Sequence, residues 1–81
     1  MLNGPVRLTV RFSLPTPKSI EVKELVVPHV IKPDTDNLLK AVMDSLTQIS
    51  VWKDDAQVFE IIAGKYYTGK KTGAQITVEE F

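Results

Sequence analysis

The stretch KPDTDNLLKAVMDSL, from Lys32 to Leu46, decides how the rest of the chain is read. Pro33 interrupts whatever precedes it. Asp34, Thr35, Asp36 and Asn37 are residue types that start helices well, because short polar side chains can accept from the free N–H groups of a first turn. Leu38, Leu39, Val42, Met43 and Leu46 then recur at spacings of three and four, which makes one apolar stripe on an α-helix. Asp36, Lys40 and Asp44 fall on the opposite face. The spacing predicts an amphipathic helix from Asp36 to about Leu46, with one side that must be covered.

The flanks supply the cover. Upstream, Val6, Leu8, Val10 and Phe12 alternate with Arg7, Thr9 and Arg11, the period of two of a half-buried strand. The run Leu14-Pro15-Thr16-Pro17 is expected to end that ladder. Between Lys18 and Val30 the pattern is looser: Val22, Leu25, Val26 and Val27 could form a short strand or a packed loop, interrupted by Pro28. Downstream, Ser50, Lys53, Asp54 and Asp55 suggest a loop around Trp52, which is expected to be a core or helix-packing residue.

Val58 to Tyr67 is dense in β-formers. Thr68 to Gly73 reads as a turn, with Gly69 and Gly73 free to adopt positive φ. Ala74, Ile76 and Val78 alternate with polar neighbours, so the last two strands are expected to form a hairpin. The predicted architecture is α+β, one domain over residues 1–81. One helix packs on a small, mainly antiparallel sheet in the order strand, helix, strand, strand.

Composition bounds the function. A chain of 81 residues without cysteine has no disulfide or thiolate-bound zinc to reinforce a small core. Apolar residues make up 43% and charged residues 25%, as in an ordinary globular protein. No apolar run is long enough to cross a bilayer, and Met1 to Val6 lacks the pattern of a signal peptide. The expected location is the cytoplasm.

The formal net charge is zero, but it is unevenly distributed. Every Asp lies between Asp34 and Asp55, whereas Arg7, Arg11, Lys18, Lys23, Lys65, Lys70 and Lys71 lie outside that window. Divalent cations bound at the acidic centre would leave a net basic surface.

Asp34 and Asp36 sit two residues apart at the start of the helix, so in an extended approach their carboxylates point the same way. Lys40 follows Asp36 by one turn on the same face. Asp55 must return from the far end of a helix roughly 15 Å long, and the residues from Thr47 onward can span about 26 Å when extended. Three carboxylates and a lysine suit magnesium, which takes oxygen ligands, keeps several waters, acidifies a bound water and can align the oxygens of a phosphodiester. Lys40 would offset charge developing on the phosphoryl oxygens. Each piece alone has a plainer reading: a capped helix start, an exposed Asp36–Lys40 pair, a turn at Asp54-Asp55. His29, the sole histidine, reads as a surface or loop residue.

The combination is more specific. KPDTDNLLKAVMDSL (Lys32 to Leu46), followed by VWKDDAQV (Val51 to Val58) and by a lysine ten residues after Asp55, namely Lys65, strongly resembles the RusA-type Holliday junction resolvases, small metal-dependent endonucleases of bacteria and their phages. The resemblance is tight from Lys32 to Lys65 and loose over the first strand. It implies metal-binding aspartates at Asp34, Asp36 and Asp55, a catalytic lysine at Lys40 and Mg²⁺ as cofactor. It also implies a homodimer that makes paired nicks in a four-way DNA junction, with Lys32, Lys53, Lys65, Lys70 and Lys71 as phosphate contacts. Members of that family usually carry a further strand and helix before the point where this chain starts. A non-catalytic DNA-binding or assembly module of the same fold is the rival reading.

Overall fold

The computed structural model describes residues 1–16, 27–68 and 72–81. Its elements are β1 (Val6–Pro15), β2 (Val27–Pro28), α1 (Thr35–Gln48), a 3₁₀ turn (Asp55–Gln57), β3 (Val58–Thr68) and β4 (Gly73–Glu80). One helix on one sheet, in the expected strand-helix-strand-strand order, gives an α+β fold, with two-residue β2 added before the helix.

The sheet order is β2-β3-β1-β4. β1 runs parallel to β3, with Leu8 beside Ile61, Val10 beside Ala63 and Phe12 beside Lys65. β4 pairs antiparallel with the other edge of β1, and β2 pairs antiparallel with β3 at Tyr66 and Tyr67. Parallel neighbours need a crossover, and α1 supplies it between β1 and β3.

The expected hairpin between the last two strands does not form, because β1 lies between them. The reason is burial. Val6, Leu8, Val10 and Phe12 are at most 5% exposed, while most of β4 is open to solvent. The most apolar alternating strand takes the centre, where neighbours cover both its edges. β1 also continues past the expected break, and Pro15 still aligns with Thr68. An expected strand or packed loop at Val22, Leu25 and Val26 lies outside the described residues.

The helix is longer than its stripe implied. Leu38, Leu39, Val42, Met43 and Leu46 pack against the β1 residues and Trp52, so the apolar stripe meets the inner face of the sheet. Burying an aliphatic side chain of this size contributes on the order of 1.5–3 kcal/mol. Trp52 closes the far end of this core at 1% exposure, and its indole N–H donates to Thr47 Oγ1 at 2.9 Å. Gly73 has φ +153°, and nothing lies within 4 Å of the Cβ it lacks, so backbone conformation rather than space favours glycine there. No helix among the described residues is long and apolar enough to cross a membrane.

Candidate functional site

The two ends of α1 present different chemistry. At its start, Asp34 is the residue preceding the first turn, with extended backbone (φ −70°, ψ 145°). Its carboxylate makes no capping bond to the helix. It accepts instead from the ammonium of Lys32, 2.9 Å from each oxygen. Asp36 lies in the first turn, where the positive end of the helix dipole favours a carboxylate. Lys40 stands one turn further on, exposed, as is Asp36. The structure therefore brings Asp34, Asp36 and Lys40 to one end of the helix.

The turn that carries them is tied down by Lys65. Its ammonium donates to the carbonyl of Pro33 at 2.7 Å and to the carbonyl of Ile31. The Lys32–Pro33 peptide bond is cis. Lys65, the sequence's best candidate for a phosphate contact, thus has its charge directed into its own chain. It braces the Asp34 turn from β3, more than thirty residues away.

Asp55 lies elsewhere. Together with Asp44, Thr47, Gln48, Lys53 and Asp54 it lines an open cleft of about 400 Å³ at the C-terminal end of α1. A fourteen-residue helix is about 21 Å long, so this cleft and the Asp34 turn lie at opposite ends of α1. Among the described residues, no three His, Cys, Asp or Glu side chains stand close enough to hold a metal ion. The expected convergence of Asp55 on Asp34 and Asp36 does not occur within a single chain.

The Asp55 end has its own brace. Asp54 caps the 3₁₀ turn by accepting from the Ala56 N–H at 2.8 Å, and Gln57 completes a capping box. Gln57 Oε1 accepts from the N–H groups of Lys53 and Asp54, and Nε2 donates to the carbonyls of Leu2 and Gly4. This residue was not singled out in the sequence, although Asp54-x-x-Gln57 has the capping-box spacing.

His29 lies in the loop after β2, one of its two expected settings, but it is 7% exposed rather than on the surface. Its ring centroid lies 4.6 Å from that of Tyr67, and its Nδ1 has no hydrogen-bond partner among the described residues. Arg7 bonds to Glu60, pairs with Glu79 at 3.7 Å and lies over the Phe81 ring, while Arg11 lies over Tyr66. Lys18, Lys23, Lys70 and Lys71 lie outside the described residues.

Two comparisons bear on this arrangement. The sequence profile of the family described as Endodeoxyribonuclease RusA matches residues 1–79. A Bacillus subtilis (strain 168) protein, described as Uncharacterized protein YqaN, is 35% identical over 76 residues, covering 84% of this chain and 53% of that protein. The chain thus spans about half the length of that curated relative.

Proposed function

Because the chain belongs to the RusA endodeoxyribonuclease family, we propose that it acts as a metal-dependent endonuclease on branched DNA, resolving four-way junctions by paired nicks. The observation that carries this reading is the turn from Lys32 to Lys40. It presents two carboxylates and a lysine at the start of the helix, braced by Lys65, with Asp36 and Lys40 exposed.

The residues fit a metal incompletely within one chain, because two of the three aspartates share an end of α1 and the third does not. Two chains in a homodimer would supply what one lacks, with Asp34 and Asp36 from one copy and Asp55 from the other. Mg²⁺ is the ion best matched to a small set of carboxylates with room for water, and it would supply an acidified water and charge neutralisation. Lys40 is placed to offset charge on the phosphoryl oxygens. Lys32 is held by Asp34, so its role lies first in setting that carboxylate. Lys53, exposed on the rim of the Asp55 cleft, remains a candidate for phosphate contact, as do Lys70 and Lys71.

The deciding experiment is cleavage of a synthetic four-way junction with and without Mg²⁺, beside a linear duplex of matching sequence. Symmetric, metal-dependent nicks in the junction alone support the resolvase. Binding without nicks supports the rival, a DNA-binding module of the same fold, which the separation of Asp55 from Asp34 within one chain favours.

Two substitutions refine the assignment. Asp55→Asn is expected to lower nicking by about a hundredfold or more, the scale of losing a group that acts in the transition state, while junction binding in a gel-shift assay persists. Full turnover would remove Asp55 from the site. Lys40→Ala is expected to reduce turnover with a change in stability below about 0.5 kcal/mol, the usual scale for an exposed position. A collapse of stability in denaturant titration would instead make Lys40 structural.

A further inference from the structure

We infer that the face of the sheet turned away from α1 is a platform for single-stranded DNA, where unpaired bases stack beside Tyr66 with Arg11 and beside Phe81 with Arg7. The choice of DNA rests on the endonuclease reading; the platform itself is argued from the sheet and its rings.

The two faces of β1 are unlike. Val6, Leu8, Val10 and Phe12 are buried, and α1 packs on them. Alternation turns Arg7, Thr9, Arg11 and Ser13 the other way. The register extends that second face over Glu60, Ile62, Gly64 and Tyr66 on β3 and over Gln75, Thr77 and Glu79 on β4. None of these residues is buried. The one α-helix among the described residues lies on the opposite side.

This face is a poor match for another protein's apolar surface. Ile62, 55% exposed, is its one aliphatic side chain. The rest is threonine, serine, glutamine and charge, which such a surface would leave without hydrogen bonds. What the face does offer is planar groups. A Cβ on Gly64 would come within 2.6 Å of the Tyr66 hydroxyl and 2.9 Å of its ring carbons, so glycine there lets the ring lie back along the strand. Arg11, itself exposed, sets its guanidinium 4.5 Å from the centre of that ring.

A second stack stands at the other end of the same face. Arg7 lies 4.6 Å from the centre of the Phe81 ring, and Phe59 meets that ring edge-on at 5.2 Å. Phe81 is 61% exposed and Phe59 56%. Four residues of β1 separate Arg7 from Arg11, roughly 13 Å. Aromatic rings and guanidinium planes are the groups on which unpaired bases stack. A four-stranded sheet carrying rings is an established way to present them. Here Tyr66 and Arg11 sit on β3 and β1, the two central strands. Paired bases hide their faces inside the duplex, so such a surface selects single strands.

Charge sets the direction and the strength. Arg7 is shared by Glu60 and Glu79, whereas Arg11 has no carboxylate partner among the described residues. The free positive charge therefore lies at the Tyr66 end, and a phosphate is favoured there. The two arginines and two glutamates on the face otherwise cancel. Binding is thus held by stacking, with about one phosphate neutralised and a shallow salt slope near −0.7.

The test is fluorescence anisotropy of a short labelled oligo-thymidine in EDTA, beside a blunt duplex of equal length. The single strand is expected to bind roughly tenfold or more tighter than the duplex, with the shallow salt slope. Tyr66→Leu, which keeps an apolar side chain and loses the ring, should weaken oligo-thymidine by about tenfold, the scale of one stacked base. Tyr66→Phe should stay within about twofold of the unaltered chain. Far-ultraviolet circular dichroism and the emission of buried Trp52 check that each variant folds. Photo-crosslinking of a 5-iodouracil strand to the unaltered chain needs no variant, and its products should map to the β1 or β3 peptides with Arg11 or Tyr66. No binding of oligo-thymidine, full binding by folded Tyr66→Leu, or crosslinks confined to the Lys32–Lys40 turn would overturn the platform. Tighter binding of oligo-uridine would overturn its assignment to DNA. These readouts involve neither metal nor cleavage. A chain that holds oligo-thymidine yet never nicks a junction keeps the platform and removes the nuclease reading, whereas a nicking chain that ignores single strands does the reverse.

Discussion

The two ends of α1 are built on different physics. At the C-terminal end, Trp52 is 1% exposed, its indole is hydrogen-bonded, and Gln57 ties the Asp55 turn to Leu2 and Gly4. Shape and apolar burial fix that end. At the N-terminal end, Val30 and Ile31 are exposed, and the turn holding Asp34 is fixed by one ammonium on two carbonyls and one ion pair. Polar bonds in water contribute little net stability. The acidic turn is thus the cheaper part to move, and its position depends on a residue in β3. In this fold the rigid end anchors the helix and the polar end presents charge.

The strongest way to break the contrast is to empty the rigid end. Trp52→Ala removes the largest fully buried side chain and orphans its Thr47 bond. A buried aromatic replaced by alanine costs about 3–5 kcal/mol, which approaches the whole stability of a domain this small. Chemical denaturation should show the transition moving to little or no denaturant. A loss below about 1 kcal/mol would mean that Trp52 is no anchor.

A smaller effect is expected at Gln57. Gln57→Ala removes one bond from each of Leu2, Gly4, Lys53 and Asp54, but in a part-buried or exposed setting where water substitutes. The expected loss is about 1–2 kcal/mol. Hydrogen exchange should speed up at Lys53 and Asp54 well before the core of β1 is affected. Uniform exchange across the chain would show that the Asp55 turn is not locally held.

How much of this could be read from the sequence follows the range of each interaction. The helix was legible because the stripe from Leu38 to Leu46 is a local pattern, and β1 because Val6, Leu8, Val10 and Phe12 alternate without a break. Sheet order was not. The glycine-bearing turn before Ala74 suggested a hairpin, but competition for the central position is settled by total burial, and β1 wins it. Asp34, Asp36 and Asp55 stood out one by one, yet their separation depends on the length of α1, which runs two residues past the stripe to Gln48. His29 gave no sign of burial because one residue carries no period. Lys65 stands out by its position and reads as a DNA contact, whereas its ammonium bonds to the carbonyls of Ile31 and Pro33. What it touches lies in a segment that no local pattern connects to β3.

Lys65 therefore gives the finest test of the contrast. If its ammonium serves to hold the Pro33 turn, Lys65→Ala should lower stability by only about 1 kcal/mol, since the group is partly solvated. Turnover on a four-way junction should fall because the Asp34 carboxylate loses its fixed position, while the salt dependence of junction binding stays unchanged. A phosphate contact predicts the opposite division. Losing one such contact weakens binding across all sequences and flattens the salt slope by about one, with turnover of bound DNA preserved. Measuring binding at several salt concentrations beside single-turnover cleavage separates the two. An unchanged slope with slowed cleavage assigns Lys65 to the brace. A flattened slope with normal cleavage means that the ammonium leaves Ile31 and Pro33 when DNA arrives, and the polar end of α1 is then held by something else.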